Sequence, residues 1–205
     1  MVDMNYNQLY QQNKKTWSEQ PNQLLKLARQ DFVPGSYFLD LGCGQGKDAL
    51  FVVKNGFKVT AVDLSEVAIK QLQATIIEQN LKNIEAIQSD VKNFVIEKDV
   101  YDIIQGNHLL QFLPKPVAIE LIKDVQQKVK LNGFIILASF TIDDPSFKLP
   151  QPKKISTYFE PQEMLRLFDG FKIIHYIERV ILDQGHGGVL SPHQHGVVEI
   201  IAQKR

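Results

Sequence analysis

The sequence has very little cysteine, with Cys43 alone among 205 residues. One cysteine cannot build an internal disulfide framework, which is typical of a protein from a reducing compartment. No apolar run approaches the roughly 20 residues that a transmembrane helix needs. The polar N-terminus, MVDMNYNQLYQQNKKTW, also lacks the apolar core of a signal peptide. These absences predict a soluble, cytoplasmic protein with no membrane partner.

An excess of charge of either sign is also missing. Lys plus Arg and Asp plus Glu both number 23, so the formal net charge is zero. This balance gives no attraction to phosphate backbones, and we predict that nucleic acid is not a partner. Hydrophobic residues make up 44% and charged residues 22%, which are ordinary values for a globular domain.

Strand-like and helix-like segments alternate from residue 37 onward. Five short apolar strands are predicted, at 37–41, 57–63, 84–90, 100–106 and 134–140. Strict alternation with helices implies a parallel sheet with right-handed crossovers. Two more strands, 171–182 and 195–203, are joined without a helix and must run antiparallel to each other. We predict an α/β, Rossmann-like fold whose seven-stranded sheet is mostly parallel, with one antiparallel strand.

The stretch FLDLGCGQGKDALF (38–51) joins the first strand to a helix through Gly42, Gly44 and Gly46. Glycine allows positive φ and a close approach of ligand to backbone, and a helix N-terminus offers unpaired N–H groups. The pattern is G-x-G-x-G, whereas dinucleotide sites use G-x-G-x-x-G. Asp40 would repel a pyrophosphate but suits a cationic amine, such as that of S-adenosylmethionine.

Two further carboxylates end the next two strands. Asp63 lies roughly 20 residues after the loop, where a carboxylate can accept hydrogen bonds from both ribose hydroxyls. Asp90 follows the third strand, where it can meet an adenine amino group. These residues predict a complete binding site. Asp40 would bind the amino group, the glycines would allow close approach of the ligand, Asp63 would bind the ribose and Asp90 would contact the adenine.

The motifs FLDLGCGQGKDA, VTAVDLS, QSDVKNF, YDIIQGNHLLQFL and LNGFIILASF occur in this order. With them, the chain resembles the class I S-adenosylmethionine-dependent methyltransferases over about residues 35 to 205. WSEQPNQLL, GFKVTAVDLSEVAIKQL and HQHGVVEIIAQKR resemble the tellurite-resistance and thiol methyltransferase-like group. The resemblance implies a methyltransferase domain at 36–205 and a helical N-terminal cover at 1–35. It also implies these cofactor-binding residues: Asp40, Gly42, Cys43, Gly44, Gly46, Asp63, Leu64, Asp90, Val91, Gly106 and Asn107.

The resemblance further implies a small-molecule acceptor, such as a tellurium or selenium oxyanion or a small thiol. Positioning supplies much of the catalysis of such a displacement, and a general base helps only a protonated nucleophile. An O- or N-methyltransferase of a small metabolite and a non-catalytic S-adenosylmethionine-binding regulator stay open as alternatives. A nicotinamide-dependent oxidoreductase would need the missing dinucleotide fingerprint. We expect a monomer or weak homodimer.

Histidines are the candidate catalytic residues. His108 follows the fourth strand, where the family places the reacting methyl group. Strand direction puts the loop 184–194 on the same sheet edge, with His186, His193 and His195. The stretch HGGVLSPHQH is compatible with a solvated hairpin, with substrate contact or proton handling, and with a metal site. Because the histidine spacing matches no established zinc pattern, the predicted site contains no metal.

Overall fold

A computed structural model describes residues 6–12, 20–29, 32–150, 155–184 and 192–205. Seven strands form one sheet: β1 (Tyr37–Leu41), β2 (Lys58–Asp63), β3 (Ile84–Gln88), β4 (Ile103–Asn107), β5 (Phe134–Phe140), β6 (Lys172–Asp183) and β7 (His193–Gln203). Six α-helices are described: α1 (Tyr6–Gln12), α2 (Gln23–Ala28), α3 (Lys47–Lys54), α4 (Glu66–Glu78), α5 (Lys115–Lys128) and α6 (Glu163–Leu167). In the described ranges, no helix has the length and apolar character needed to cross a membrane.

The strand order is β3-β2-β1-β4-β5-β7-β6. Strands β1 to β5 pair in parallel, and β7 is antiparallel to both of its neighbours, β5 and β6. Strand β6 therefore runs in the same direction as β1 to β5. The predicted fold class and the single antiparallel strand are confirmed. The carboxyl ends of six strands, together with the start of β7, meet at one edge of the sheet.

Alternating strand residues bury two apolar cores, one on each face of the sheet. On one face, Phe38 of β1 belongs to the cluster that contains apolar residues of α2, α3 and α4. On the other, Leu39 and Leu41 belong to the cluster that contains residues of α5 and α6. The period of two along β1 therefore produces a three-layer arrangement with helices on both faces. Asp40 shares its face with Phe38, and this is the face that α3 covers.

The predicted starts of two strands differ from the structure by more than one residue. Strand β4 begins at Ile103 rather than at residue 100 because Asp102 serves as a polar junction. The carboxylate of Asp102 accepts from the Tyr37 backbone N–H at 2.8 Å and from Lys130 Nζ at 2.9 Å. Strand β7 begins at His193, two residues earlier than predicted, because His193 is paired in register with Asp183.

Candidate functional site

The loop from β1 to α3 turns through three glycines with left-handed backbone. Their φ values are 73° at Gly42, 55° at Gly44 and 79° at Gly46. Residues with a Cβ avoid this region, because the Cβ approaches the following carbonyl oxygen. The backbone N–H groups of Gly42 and Cys43 both donate to the Val62 carbonyl, at 2.8 and 3.0 Å. The loop is therefore fastened to the end of β2.

Packing also favours glycine at two of these positions. A Cβ on Gly46 would lie 2.4 Å from Leu72 Cδ1 of α4, and one on Gly42 would lie 3.0 Å from Leu109 Cδ1. The first distance is far shorter than a carbon–carbon contact. Gly46 thus lets the start of α3 lie against α4.

Asp40 is a buried carboxyl group within a polar cluster beneath the loop. Its side chain is 3% exposed, and Gln105, its register partner on β4, donates Nε2 to Asp40 Oδ1 at 3.2 Å. The same amide donates to Asp48 Oδ2 of α3 at 2.9 Å. Burial, and then the neighbouring Asp48, raise the pKa of Asp40 to about 8. The free site therefore holds a carboxyl group that a cationic ligand would ionise.

Asp63 holds the loop and the start of α4 together. Its Oδ2 accepts from the Gly44 N–H at 2.7 Å, and its Oδ1 accepts from the Ser65 N–H at 2.8 Å. Burial raises the pKa of Asp63, although these two backbone hydrogen bonds oppose the rise. Since each carboxylate oxygen has two lone pairs, both oxygens retain an acceptor site for ligand hydroxyls.

The remaining predicted cofactor residues near these strands differ in exposure. Asp90 follows β3. Burial would raise the pKa of its carboxyl group, but the backbone N–H and the ammonium group of Lys92 outweigh this effect and hold the pKa below its usual value. Leu64, beside Asp63, is 66% exposed, whereas Val91 is buried in the apolar core. A contact from Leu64 would use its side chain, and one from Val91 its backbone.

Burial, and then Asp40 and Asp63, raise the pKa of the Cys43 thiol well above its usual value, so it is not a nucleophile at neutral pH.

Unpartnered polar atoms gather at the end of β4. Among the described residues, three buried side-chain atoms lack a hydrogen-bond partner: Gln105 Oε1, Asn107 Oδ1 and His108 Nδ1. His108 has a left-handed backbone, with φ 53°, directly after Gly106 and Asn107. Burial, helped by the charges of His195 and Lys47, lowers the pKa of His108 to about 4, so its imidazole is neutral at pH 7. Orphaned buried polar atoms are rare, and here they fit a ligand with its own donors and acceptors.

The C-terminal histidines lie at this same edge of the sheet. His195 Nδ1 is 2.7 Å from Asp144 Oδ2, and its ring stacks on Phe140 with 4.4 Å between centroids. Phe140 also contacts the His108 ring, at 5.6 Å, and the His193 ring lies 4.6 Å from that of His195. The structure thus brings all three predicted catalytic histidines into one neighbourhood. His186 lies outside the described residues.

Helix α1 packs across the start of α4, beside the glycine loop. Ser65 Oγ donates to Asn7 Oδ1 at 2.5 Å, and Gln71 Nε2 donates to the Tyr10 carbonyl at 2.8 Å. The Tyr6 ring lies edge-on to Phe112, which follows β4, at 5.3 Å. Burial, and then the charge of Asp63, raise the pKa of Tyr6 to about 12. Trp17, a further aromatic residue of the predicted cover, lies outside the described residues.

Comparison with known proteins identifies the family. The family model described as "Tellurite resistance protein TehB" matches residues 7–186. The chain belongs to the TehB family. A curated relative, the probable S-adenosyl-L-methionine-dependent methyltransferase TehB of Haemophilus influenzae (strain 10810), is 30% identical over 143 residues. That match covers 69% of this chain and 48% of the relative, so the chain spans about half the length of the curated relatives it matches.

Solved structures place the fold of this TehB-family chain among class I methyltransferases. The crystal structure of TehB from Haemophilus influenzae superposes with a TM-score of 0.74 at 24% identity, covering 89% of this chain and 61% of that one. A S-adenosylmethionine-dependent methyltransferase from Methanosarcina mazei superposes with a TM-score of 0.69 at 18% identity, covering 87% and 96%. Identities this low establish the fold alone.

Several residues of this TehB-family site have no counterpart in the sequence prediction. Gln105 carries a sequence signal, because it is a polar residue within the apolar strand YDIIQG, and such a residue needs a buried partner. Asp48 and Asp144 have weaker signals, because acidic residues in a first helical turn and after a strand are common. Their roles depend on contacts 57 and 51 residues away along the chain.

Proposed function

We propose that this protein transfers a methyl group from S-adenosylmethionine to a small-molecule acceptor. The observation that carries the proposal is the buried Asp40, with its raised pKa, beneath a loop of left-handed glycines. An ammonium group would ionise this carboxyl group and form an ion pair with it, whereas a pyrophosphate could form no such pair. The names of the TehB relatives support the same activity.

The residues that would hold S-adenosylmethionine follow the order of the strands. Asp40 would accept from the amino group, Asp63 from the ribose hydroxyls and Asp90 from the adenine amino group. The unpartnered Asn107 Oδ1 supports a further polar contact at the end of β4. Gly42 and Gly46 hold the loop in its left-handed turn, and their missing side chains leave room for Leu109 and Leu72. These assignments fit the donors and acceptors of the cofactor.

The cofactor, when bound, supplies a methyl group already activated by a sulfonium. His108 then has a positioning role, since an imidazole with a pKa of about 4 is a weak general base at neutral pH. Its unpartnered Nδ1 would orient the acceptor, and the His195–Asp144 pair would form part of the same pocket wall. Because His108 is a weak base, an acceptor that needs no deprotonation by the enzyme is favoured.

We infer that the acceptor is a tellurium or selenium oxyanion or a small thiol. The description of the family as a tellurite-resistance protein supports the oxyanions. A thiolate meets the same requirement because it needs no proton removal by the enzyme. Methylation of a hydroxyl group would require a stronger base than His108 provides, whereas a neutral amine could attack through its lone pair.

Calorimetric titration with S-adenosylmethionine and with NADH tests cofactor use. We expect binding of the sulfonium compound alone, and an affinity loss of about 1–3 kcal/mol in Asp63→Ala, because bonds to the ribose would be lost. Binding of NADH alone would overturn the interpretation of Asp40. Formation of S-adenosylhomocysteine with tellurite, selenite and small thiols then tests turnover; binding without turnover on any acceptor would favour a regulatory protein.

A further inference from the structure

Asp183, His193 and His195 form a cluster of three metal-ligating side chains near the sheet edge that holds the candidate site. One potential ligand atom from each lies within 4.8 Å of the others. Around a zinc-sized ion with bonds of about 2.0–2.2 Å, ligand atoms lie roughly 3–3.5 Å apart. The remaining difference of one to two ångströms is within reach of side-chain rotation, because all three residues are only partly buried.

Strand register is what brings these residues together. Asp183 is the last residue of β6 and pairs directly with His193, the first residue of β7. Directly opposed residues of antiparallel strands project to the same face. His195 lies two residues further along β7 and shares that face. The cluster therefore rests on the paired ends of two strands.

The environment of His195 is typical of a metal ligand. Its Nδ1 is hydrogen-bonded to Asp144, whose side chain is 1% exposed, and its ring is held against Phe140. Histidine ligands in metalloproteins usually bond through one ring nitrogen to a carboxylate or carbonyl, which fixes the tautomer and directs the other nitrogen to the ion. Here that arrangement leaves Nε2 as the ligand atom.

We propose that Asp183, His193 and His195 bind one first-row divalent transition-metal ion. Two imidazoles and one carboxylate suit zinc, iron, cobalt or nickel, whereas calcium and magnesium prefer ligand sets made of oxygen. Three protein ligands leave coordination positions for water or another small ligand. Sequence spacing alone does not predict this site, because its third ligand comes from the neighbouring strand.

Calorimetry with ZnCl₂ on chelator-treated, untagged full-length protein tests the proposal. We expect one Zn²⁺ per chain, bound at least about 100-fold more tightly than Mg²⁺. His193→Ala and Asp183→Asn should each weaken zinc binding by tenfold or more. Asp144→Asn should weaken it by about 10–100-fold, as is typical when a carboxylate behind a histidine ligand is replaced. Visible absorption of the Co²⁺-loaded protein should change in the ligand variants.

His175→Ala is the matched control. His175 lies on the same strand as Asp183 but eight residues earlier, about 26 Å away at roughly 3.3 Å per residue. Its zinc affinity should stay within twofold of the parent. Zinc binding should also persist in Asp40→Asn, so the result does not depend on the proposed methyl transfer. No zinc binding by the parent, or undiminished binding by folded His193→Ala, would overturn the site.

Discussion

At the scale of single residues, the raised pKa of the Asp40 carboxyl group leads to a testable prediction. Its carboxyl group has a pKa of about 8 in the free protein, so it is mostly protonated at pH 7. An ammonium group bound beside it would favour the ionised form and lower the pKa. We therefore predict that S-adenosylmethionine binding at pH 7 releases about one proton. Calorimetry in buffers with different ionisation enthalpies measures this release.

The sign of the pH dependence follows from the same shift. Because binding requires the proton to leave Asp40, affinity should rise as pH increases from 6 toward 8, by up to about tenfold per unit. Asp40→Asn should bind more weakly and release no proton. Proton release that persists in this variant would assign the titration to another group.

Gly46 allows the left-handed backbone of the loop and also leaves room for Leu72, and mutations can separate these two effects. Gly46→Ala should destabilise the fold in two ways. Alanine is strained in a left-handed backbone, and its Cβ would lie 2.4 Å from Leu72 Cδ1 and force that side chain to move. Gly170→Ala is the matched control, because Gly170 has φ 85° but its added Cβ would meet no described atom within 4 Å. We predict a loss of about 1 kcal/mol in Gly170→Ala and about 1–3 kcal/mol more in Gly46→Ala. Equal losses in chemical unfolding would show that Leu72 yields freely.

At the scale of secondary-structure elements, β7 packs so closely against residues 141–144, which follow β5, that no side chain fits at Gly196. A Cβ on Gly196 would lie 2.4 Å from the Asp144 backbone nitrogen and 2.5 Å from the Asp143 carbonyl carbon. Both are backbone atoms, which cannot rotate away. Gly196 therefore sets the approach of Asp144 to His195, which is the contact that orients the imidazole.

We predict that Gly196→Ala displaces the 141–144 segment and weakens zinc binding by tenfold or more. Its affinity for S-adenosylmethionine should change little, because the glycine loop lies at other strands. Gln194→Ala is the control, since Gln194 is an exposed residue of the same strand. Unchanged zinc affinity in Gly196→Ala would show that the segment adjusts without moving Asp144.

The local pattern of apolar residues along the sequence predicts the strands of the sheet well. Apolar runs identify all seven strands, although several of their ends differ by one to three residues from the structure. The errors lie at strand ends such as Asp102, whose carboxylate accepts the Tyr37 N–H in place of a backbone carbonyl. Hydrophobic periodicity contains no information about such bonds.

At the scale of the whole molecule, the N-terminal helix α1 bridges α4 and the segment that follows β4. Helix α1 contacts α4 through Asn7 and Tyr10, and Phe112 through Tyr6. We propose that it covers the bound cofactor. Hydrogen exchange should then show amides of residues 6–12 becoming more protected when S-adenosylmethionine binds.

Helix α6 provides the internal control for this measurement. It packs on the opposite face of the sheet from α3 and α4, so its exchange should not respond to the cofactor. A truncation that removes residues 1–12 should bind the cofactor more weakly while still unfolding cooperatively. Unchanged protection and unchanged affinity together would show that α1 only stabilises the fold.

The sequence by itself determined the glycine loop, the acidic residues at the strand ends and the alternation that makes a mostly parallel sheet. These features are local, because each depends on the conformation and polarity of a few consecutive residues. Only the tertiary structure decided that Gln105 joins Asp40 to Asp48, that Asp144 orients His195, and that Asp183 lies opposite His193. Each of these contacts depends on strand order and register, which arise when the whole sheet packs between its two layers of helices.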